Sequence, residues 1–340
     1  MDKPLIAVPA GDPAGIGPEI LVKAFADGSV RRTAQCVAVG DRRIIENAIA
    51  LTGVPLEVRP LGDIKDGDFS EGVLNLVPVK SIGGIEDGGM AAFRHGVVSA
   101  ACGKAAFRCI EKSIALALEK KVDAVATTPI NKESLQAGGV PYIGHTEIFA
   151  GLTGTKDPLT VFEARGMRIF FLSRHVSLRK ACDLVQKDRI VDYVKRAFAV
   201  LRQFGVTEGS MAIAGLNPHS GEHGLFGDEE VNEVAPAVAA LKAQGYPVEG
   251  PIGADSVFHL ALRGKFNSVL SLYHDQGHIA AKTLDFEKTI SITGGMPILR
   301  TSVDHGTAFD IAGKNLASPV SMIEAIILAA KYAPAFQGST

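Results

Sequence analysis

Short, nearly unbroken apolar runs alternate with longer stretches of helical periodicity from one end of this chain to the other. The runs that predict strands are Leu5–Val8, Cys36–Val39, Val122–Ala126, Arg168–Leu172, Met211–Gly215, Ser268–Tyr273 and Thr289–Ile292. A strand that is apolar on both faces is one covered by helices on both sides, which is the habit of parallel sheets. Helical patterns lie between them, notably over Met90–Lys120, Asp188–Phe204, Asp228–Gln244 and Ser321–Lys331. The alternation predicts an α/β protein with mainly parallel sheet. The Gly62–Asp68 region, which GVLNLVPVK soon follows, reads as a surface excursion rather than a domain boundary.

In such folds ligands sit beyond the carboxyl ends of the strands, so the polar residues after each apolar run come first. They are rich here: GDPAGIGPE after Leu5–Val8, TTPINKE after Val122–Ala126, SRH after Arg168–Leu172, LNPHSGEHG after Met211–Gly215 and HDQGH after Ser268–Tyr273. Three of these ends carry a histidine within a few residues: His175, His219 and His274. Neutral imidazoles suit Zn²⁺, Co²⁺ or a similar ion, and three protein ligands leave positions open for substrate. Separations this wide are not a motif; topology alone makes the three a candidate metal site, against the satisfied structural histidine that a lone His more often is. Asp275 can orient His274, bind the ion or act as a base, or it can simply cap a helix. His278 and His223 each follow a better-placed histidine and are secondary candidates.

Composition narrows the partners. A chain of 340 residues suits two domains sharing a cleft. Its hydrophobic fraction of 46%, charged fraction of 21% and net charge of −2 are those of a globular protein with no basic face for nucleic acid. With no Trp there is little to stack bases on. Phosphate affinity must come from local placement of Lys, Arg and backbone N–H groups. The four cysteines lack a CxxC pair, and Cys102 and Cys109 stand about two helical turns apart, too far for a disulfide. Reduced thiols, an N-terminal apolar run too short for a signal peptide and no stretch near ~20 apolar residues predict a cytoplasmic enzyme without membrane contact.

Other segments have two readings each. The Gly11–Glu19 turn, GDPAGIGPE, either admits a ligand to its backbone or is tight packing beneath a helix; it lacks GxGxxG spacing. In GHTE, Thr146 at a helix start offers a hydroxyl and free N–H groups to an anion. Lys282 and Arg300 are cations close to the cleft-facing strands, as a phosphate requires, though such residues are more often solvated charges. In SVDHGTAFDIAGKN a nucleotide has His305, Gly306 and Thr307 to use, or the segment is a capped helix start. A GxSxG nucleophile elbow is absent.

The ordered segments GDPAGIGPE, TTPINKE, GHTE, GLNPHSGE, GADS, YHDQGH and RTSVDHGTAFDIAGKN resemble the 4-hydroxythreonine-4-phosphate dehydrogenases, the PdxA family, from Gly11 to about Asn315. The resemblance implies the two-domain fold of isocitrate and isopropylmalate dehydrogenases, with a central cleft and an active site completed across a homodimer. One domain is then expected over 1–130 plus 290–340, and the other, with the histidines and dimer contacts, over 131–289. It implies His175, His219 and His274 as ligands of Zn, Co or Mg, and His145, Thr146, Lys282, Ser291 and Arg300 as substrate contacts. Asp275, Lys282 and Asp255 are the implied catalytic candidates. NAD or NADP is the implied oxidant, with its binding residues unassigned.

The implied reaction is oxidation at C3, with decarboxylation, of a four-carbon acid phosphorylated at C4. Where the family's pyridoxine-synthesis enzymes read VNIT, this chain reads Ile290-Ser291-Ile292-Thr293. Ser291 cannot present an amide's donor and acceptor together. GLFGDEE and HDQGHI likewise resemble paralogues acting on D-threonate or D-erythronate 4-phosphate. Two alternatives stand beside this: a cis-dihydrodiol dehydrogenase of an aromatic dicarboxylate, and a non-catalytic metal- or ligand-binding protein.

Overall fold

A computed structural model describes residues 3–79 and 94–336, so Met90–Phe93 of the expected helix and Lys80 of GVLNLVPVK lie outside the described residues. The chain divides into two units, Met1–Pro158 with Met296–Thr340, and Leu159–Gly295. The family resemblance implies divisions near 130 and 290 instead. The stretch from 131 to 158 belongs with the first unit because Leu135, Ile148 and Phe149 are buried in the same core as Ala7, Val37 and Val125.

In the first unit, β1 (Leu5–Pro9), β2 (Gln35–Gly40), β3 (Glu57–Pro60), β4 (Val73–Pro78), β5 (Ala124–Thr127) and β12 (Arg300–Ser302) are joined in the order β3-β4-β2-β1-β5-β12. Every pairing in this sheet is parallel. Its helices are α1 (Gly17–Ala26), α2 (Gly28–Thr33), α3 (Arg42–Thr52), α4 (Ala100–Leu118), α5 (Lys132–Ala137), α6 (His145–Thr153) and α12 (Val320–Tyr332). The GVLNLVPVK segment that follows Gly62–Asp68 contains β4, a strand buried along Leu74–Val77 between β3 and β2. Close packing of α4 on α5 depends on Gly103, where a Cβ would stand 1.9 Å from the Ser134 carbonyl oxygen.

In the second unit, β6 (Leu159–Ala164), β7 (Met167–Phe171), β8 (Met211–Ala214), β9 (Val248–Ile252), β10 (Ser268–Ser271) and β11 (Ile290–Gly294) follow the order β11-β6-β7-β10-β8-β9. From β7 to β9 the pairing is parallel; β6 is antiparallel to both its neighbours. The β6–β7 hairpin turns at Arg165 and Gly166, both at positive φ (49° and 84°), which suits the right-handed twist of paired strands. The helices are α7 (Leu178–Asp183), α8 (Lys187–Gln203), α9 (Ala235–Ala243), α10 (Ala254–Leu262) and α11 (His274–Leu284). No described helix is long and apolar enough to cross a membrane.

Candidate active site

The second unit gathers the histidines by topology. His175 follows β7, His274 follows β10 and His219 follows β8, and these are three adjacent parallel strands. The rings of His175 and His274 have centroids 5.7 Å apart. A Zn–N bond of about 2.0–2.1 Å puts each ring centroid roughly 3.2 Å from an ion, so two imidazoles sharing one lie roughly 5–6 Å apart. The observed pair fits that spacing. Arg174, His175, Val176, Tyr273, His274 and Asp275 border a cavity of about 260 Å³. Among the described residues, no three His, Cys, Asp or Glu side chains form a ready group for a metal, so His219 does not complete a triad with the other two here.

His274 is the first residue of α11, and its neighbours orient the ring. Its Nδ1 is 2.6 Å from Asp275 Oδ1, an arrangement that directs the Nδ1 proton to the carboxylate and leaves Nε2 for an ion. On the other side, His278 stacks on it at 3.7 Å between centroids, and His278 Nδ1 lies 2.9 Å from the His274 carbonyl oxygen. Phe162 and Phe171 in turn pack on His278 at 4.4 and 4.6 Å. The helix approaches this closely because of Gly277, where a Cβ would meet Phe171 at 2.5 Å. His278 is thereby a packing partner of His274 rather than part of a three-ligand group.

His219 sits on an unusual backbone. Residues 219–223 all have positive φ, between 43° and 79°, and four of the five are not glycine. Left-handed backbone costs a non-glycine residue about 1–2 kcal/mol, so the surroundings must over-determine this turn. Two buried side chains secure its root. The Glu230 carboxylate accepts the Leu216 and Asn217 amides at 2.6 and 2.7 Å and the Asn217 side-chain amide at 2.8 Å. Gln276 accepts the Leu272 amide at 2.7 Å and donates to the Gly215 carbonyl at 2.8 Å, tying the end of β10 to the end of β8.

The remaining candidates of this unit are dispersed. Asp255 is exposed in the first turn of α10. Lys282 lies in the last turn of α11, its ammonium 5.3 Å from the Phe286 ring centroid. Ser291 is half-buried on β11, opposite Phe162 of β6. His223 is exposed and shares the left-handed turn.

The first unit holds a separate constellation. Arg300, 4% exposed at the start of β12, donates to Thr127 Oγ1 at 3.3 and 3.1 Å and lies 5.1 Å from the Phe149 ring centroid. Burial pushes its guanidinium down to about 9, although Glu147 nearby favours the charge. His145 and Thr146 open α6, whose N-cap Gly144 has no side chain to satisfy the first amides. Burial, then the positive charge of Arg300, holds the His145 imidazole well below its ordinary value of 6.5, and its Nε2 is buried without a hydrogen-bond partner. A desolvated cation, an unpartnered ring nitrogen and an open helix start suit an anion with hydroxyl or phosphate oxygens.

The neutral His145 ring has a consequence for pH. In the unfolded chain it protonates near 6.5, while in the fold it does not, so its stability contribution is complete above that pH and is lost as pH falls below it. His145→Gln is therefore expected to flatten the acid side of the stability curve by up to about 1.4 kcal/mol per pH unit. Unfolding midpoints of both proteins at about pH 7.5 and pH 5 check this; equal acid shifts would refute it.

The glycine-rich turn resolves in favour of packing. The Asp12, Gly15 and Ile16 amides donate to the carbonyls of Pro129, Asp12 and Thr307, and the Ala14 amide donates to Asp12 Oδ1. A Cβ at Gly11 would meet Thr128 Oγ1 at 2.3 Å, and one at Gly15 would meet Thr307 at 2.7 Å. Those amides already have protein acceptors, and the turn serves as the bed for the 303–315 segment. Glu19 Oε1 accepts the Gly313 amide at 2.6 Å, and Lys23 donates to the Ala317 carbonyl at 2.8 Å. His305, Gly306 and Thr307 lie on that supported segment, with Thr307 buried and Gly306 exposed.

Sequence reasoning did not single out Glu230, Gln276, Phe149 or Thr127. An acid beside another acid, or a Gln inside a helix, has no pattern that marks it before its amide partners are known.

A family model described as "Pyridoxal phosphate biosynthetic protein PdxA" matches residues 32–329. A Clostridium botulinum protein named "Putative D-threonate 4-phosphate dehydrogenase" is 59% identical over 336 residues, covering 99% of each chain. The solved 4-hydroxythreonine-4-phosphate dehydrogenase of Klebsiella pneumoniae is 42% identical, with a TM-score of 0.89, covering 97% of this chain and 98% of its own. The solved terephthalate 1,2-cis-dihydrodiol dehydrogenase of Burkholderia xenovorans is 29% identical, with a TM-score of 0.66 over 96% of this chain and 98% of its own.

Proposed function

This chain belongs to the PdxA family and is an oxidoreductase, and from that premise we propose that it oxidises D-threonate or D-erythronate 4-phosphate at C3. The observation that carries the reading is the placement of His175, His274 and His219 after three adjacent parallel strands, with the first two rings at metal-sharing distance. The name and 59% identity of the clostridial relative support a hydroxy acid over an amino acid. So does Ser291, whose hydroxyl is shorter than the Asn amide of the pyridoxine-synthesis enzymes.

A divalent ion (zinc, cobalt or magnesium) held by these histidines would supply Lewis acidity to the C3 hydroxyl. NAD or NADP would supply the hydride acceptor. The chain's own part is positional and acid–base. Asp275 keeps the His274 ring turned so that Nε2 is available, which leaves Lys282, acting as its neutral amine, as the candidate to take the hydroxyl proton, with Asp255 second. Arg300, His145, Thr146 and the opening amides of α6 would hold the phosphate. Loss of the proton and a hydride yields a β-keto acid, which releases CO₂.

A homodimer and a cytoplasmic location belong to the same proposal. Ile279 and Phe286, each 64% exposed on and just past α11, are the kind of apolar surface a second copy covers. A monomer in sedimentation would remove that part. The dihydrodiol reading needs no phosphate, but its dicarboxylate is an anion as well, so turnover separates the two readings.

The experiment follows reduced-cofactor formation by metal-loaded protein on D-threonate 4-phosphate and 4-hydroxy-L-threonine 4-phosphate side by side. A higher kcat/KM for the threonate is expected, and Ser291→Asn should narrow the gap by about tenfold, the worth of one hydrogen bond. Preference for the amino acid would return the enzyme to pyridoxine synthesis. Turnover of a terephthalate dihydrodiol alone would favour the second reading.

A further inference from the structure

We propose that Glu230 is a positioning residue for His219: it anchors the left-handed turn that carries this histidine and thereby sets its geometry as a ligand. The inference rests on the reading of His219 as a metal ligand. Glu230 is 2% exposed and opens a single π-helical turn, Glu230–Val234, that leads into α9. One of its oxygens takes both backbone amides immediately after Gly215, at Leu216 and Asn217, and the other takes the Asn217 side chain. Asn217 is the residue directly before Pro218 and His219, so the carboxylate holds the chain where it enters the turn.

The turn closes back on the same carboxylate. A Cβ at Gly221 would stand 2.8 Å from Glu230 Oε2, and a Cβ at Gly227 would stand 2.4 Å from Asn217 Nδ2. Glu230 and Asn217 therefore fill the inside of the loop from 217 to 230 and leave no room for side chains at either glycine. The Glu229 carboxylate takes a second bond from Asn217 Nδ2 at 2.7 Å, which fixes that amide's orientation. Five consecutive residues at positive φ have few neighbours of their own to hold them, since His219, Glu222 and His223 are exposed. The constraint comes from the buried acid. Gln276 gives the arrangement its reference point, because its bond to the Gly215 carbonyl links the start of this loop to α11, where His274 resides.

The carboxylate chemistry matters as much as the shape. Glutamine at 230 keeps the volume and one carbonyl oxygen for the two backbone amides. Its NH₂ group, however, would meet Asn217 Nδ2 donor to donor, and turning Asn217 over would present its carbonyl oxygen to Glu229.

The test uses full-length wild type, Glu230→Gln, Glu230→Ala and His219→Ala, stripped of metal and then titrated with Co²⁺ by calorimetry and visible absorption. The metal-free proteins are also made with labelled histidine, so that His219→Ala identifies the His219 ring resonance. Glu230→Gln is expected to weaken Co²⁺ about 10- to 100-fold, the usual cost of removing a support behind a ligand, to alter the Co²⁺ absorption bands and to move the His219 resonance. Wild-type affinity, bands and His219 resonance in both Glu230 variants would overturn the proposal. The Gln variant decides should the Ala variant not fold. If His219→Ala binds Co²⁺ as tightly as wild type, the ligand reading fails instead, and the His219 resonance in Glu230→Gln alone decides whether the acid holds the turn.

Discussion

Replacing His274 with alanine is expected to lower kcat/KM on the order of 10³-fold while the unfolding midpoint changes little. Lewis-acid activation of a hydroxyl is worth several kcal/mol, and about 4 kcal/mol corresponds to three powers of ten in rate. Little stability should be lost because the His274 side chain is 37% exposed at the first position of its helix. The neighbouring Asp275 predicts a graded series. Asp275→Asn keeps a polar group beside Nδ1 but removes the charge that favours the Nδ1–H tautomer, so a smaller loss, about 10- to 100-fold, is expected. Steady-state kinetics and Co²⁺ titration on chelator-treated protein check both variants. Activity within a few-fold of wild type for His274→Ala, with Co²⁺ still bound, would remove the histidines from the chemistry.

Arg300→Met should separate function from stability. A buried guanidinium contributes a charge-assisted contact to a phosphate, worth about 1.5–3 kcal/mol, so KM for the phosphorylated substrate should rise roughly 10- to 100-fold. The same charge is costly to the fold, as its downward displacement to about 9 by burial indicates. Methionine keeps the stem against Phe149 and removes the desolvation cost, and apolar replacement of buried charges is often neutral or stabilising. Thr127 loses a donor to its hydroxyl oxygen, but its own proton still goes to the Thr301 carbonyl at 3.3 Å. The expected pair of results is a raised KM with an unfolding midpoint no lower than wild type. An unchanged KM would take Arg300 out of substrate binding, and a steep fall in midpoint would make it a structural residue.

Both predictions concern residues visible before any coordinates: His274 because strand ends in a parallel sheet are where ligands gather, and Arg300 as a cation after the apolar stretch Met296–Leu299. His175, His219 and His274 stand out since each follows a continuously apolar run, and those runs are β7, β8 and β10. Strands with a mixed pattern escaped notice. β6, β9 and β12 were not among the expected runs: β6 carries the buried Thr160 and Glu163, β9 is only partly buried after Val248, and β12 is the three residues Arg300–Ser302. The helix over Asp228–Gln244 divides into a π-helical turn and α9, with the Glu230 anchor opening the π-helical turn. Local periodicity registers neither feature.

By itself, then, the order of residues determined the alternation of buried strands and amphipathic helices, hence the α/β class, and the positions of the polar segments along it. Hydrophobic periodicity is a local property, read over a few residues at a time. Which strands stand side by side is not local, and that decided the rest. The order β7-β10-β8 brings His274 between two histidines that precede it by 99 and 55 residues in the chain. Burial of Arg300 against Phe149 and Thr127, the neutral state of His145 and the hold of Glu230 on the Leu216 and Asn217 amides arise the same way. Each depends on partners brought close by folding, and on the loss of water around them, and neither is written in any short stretch of sequence.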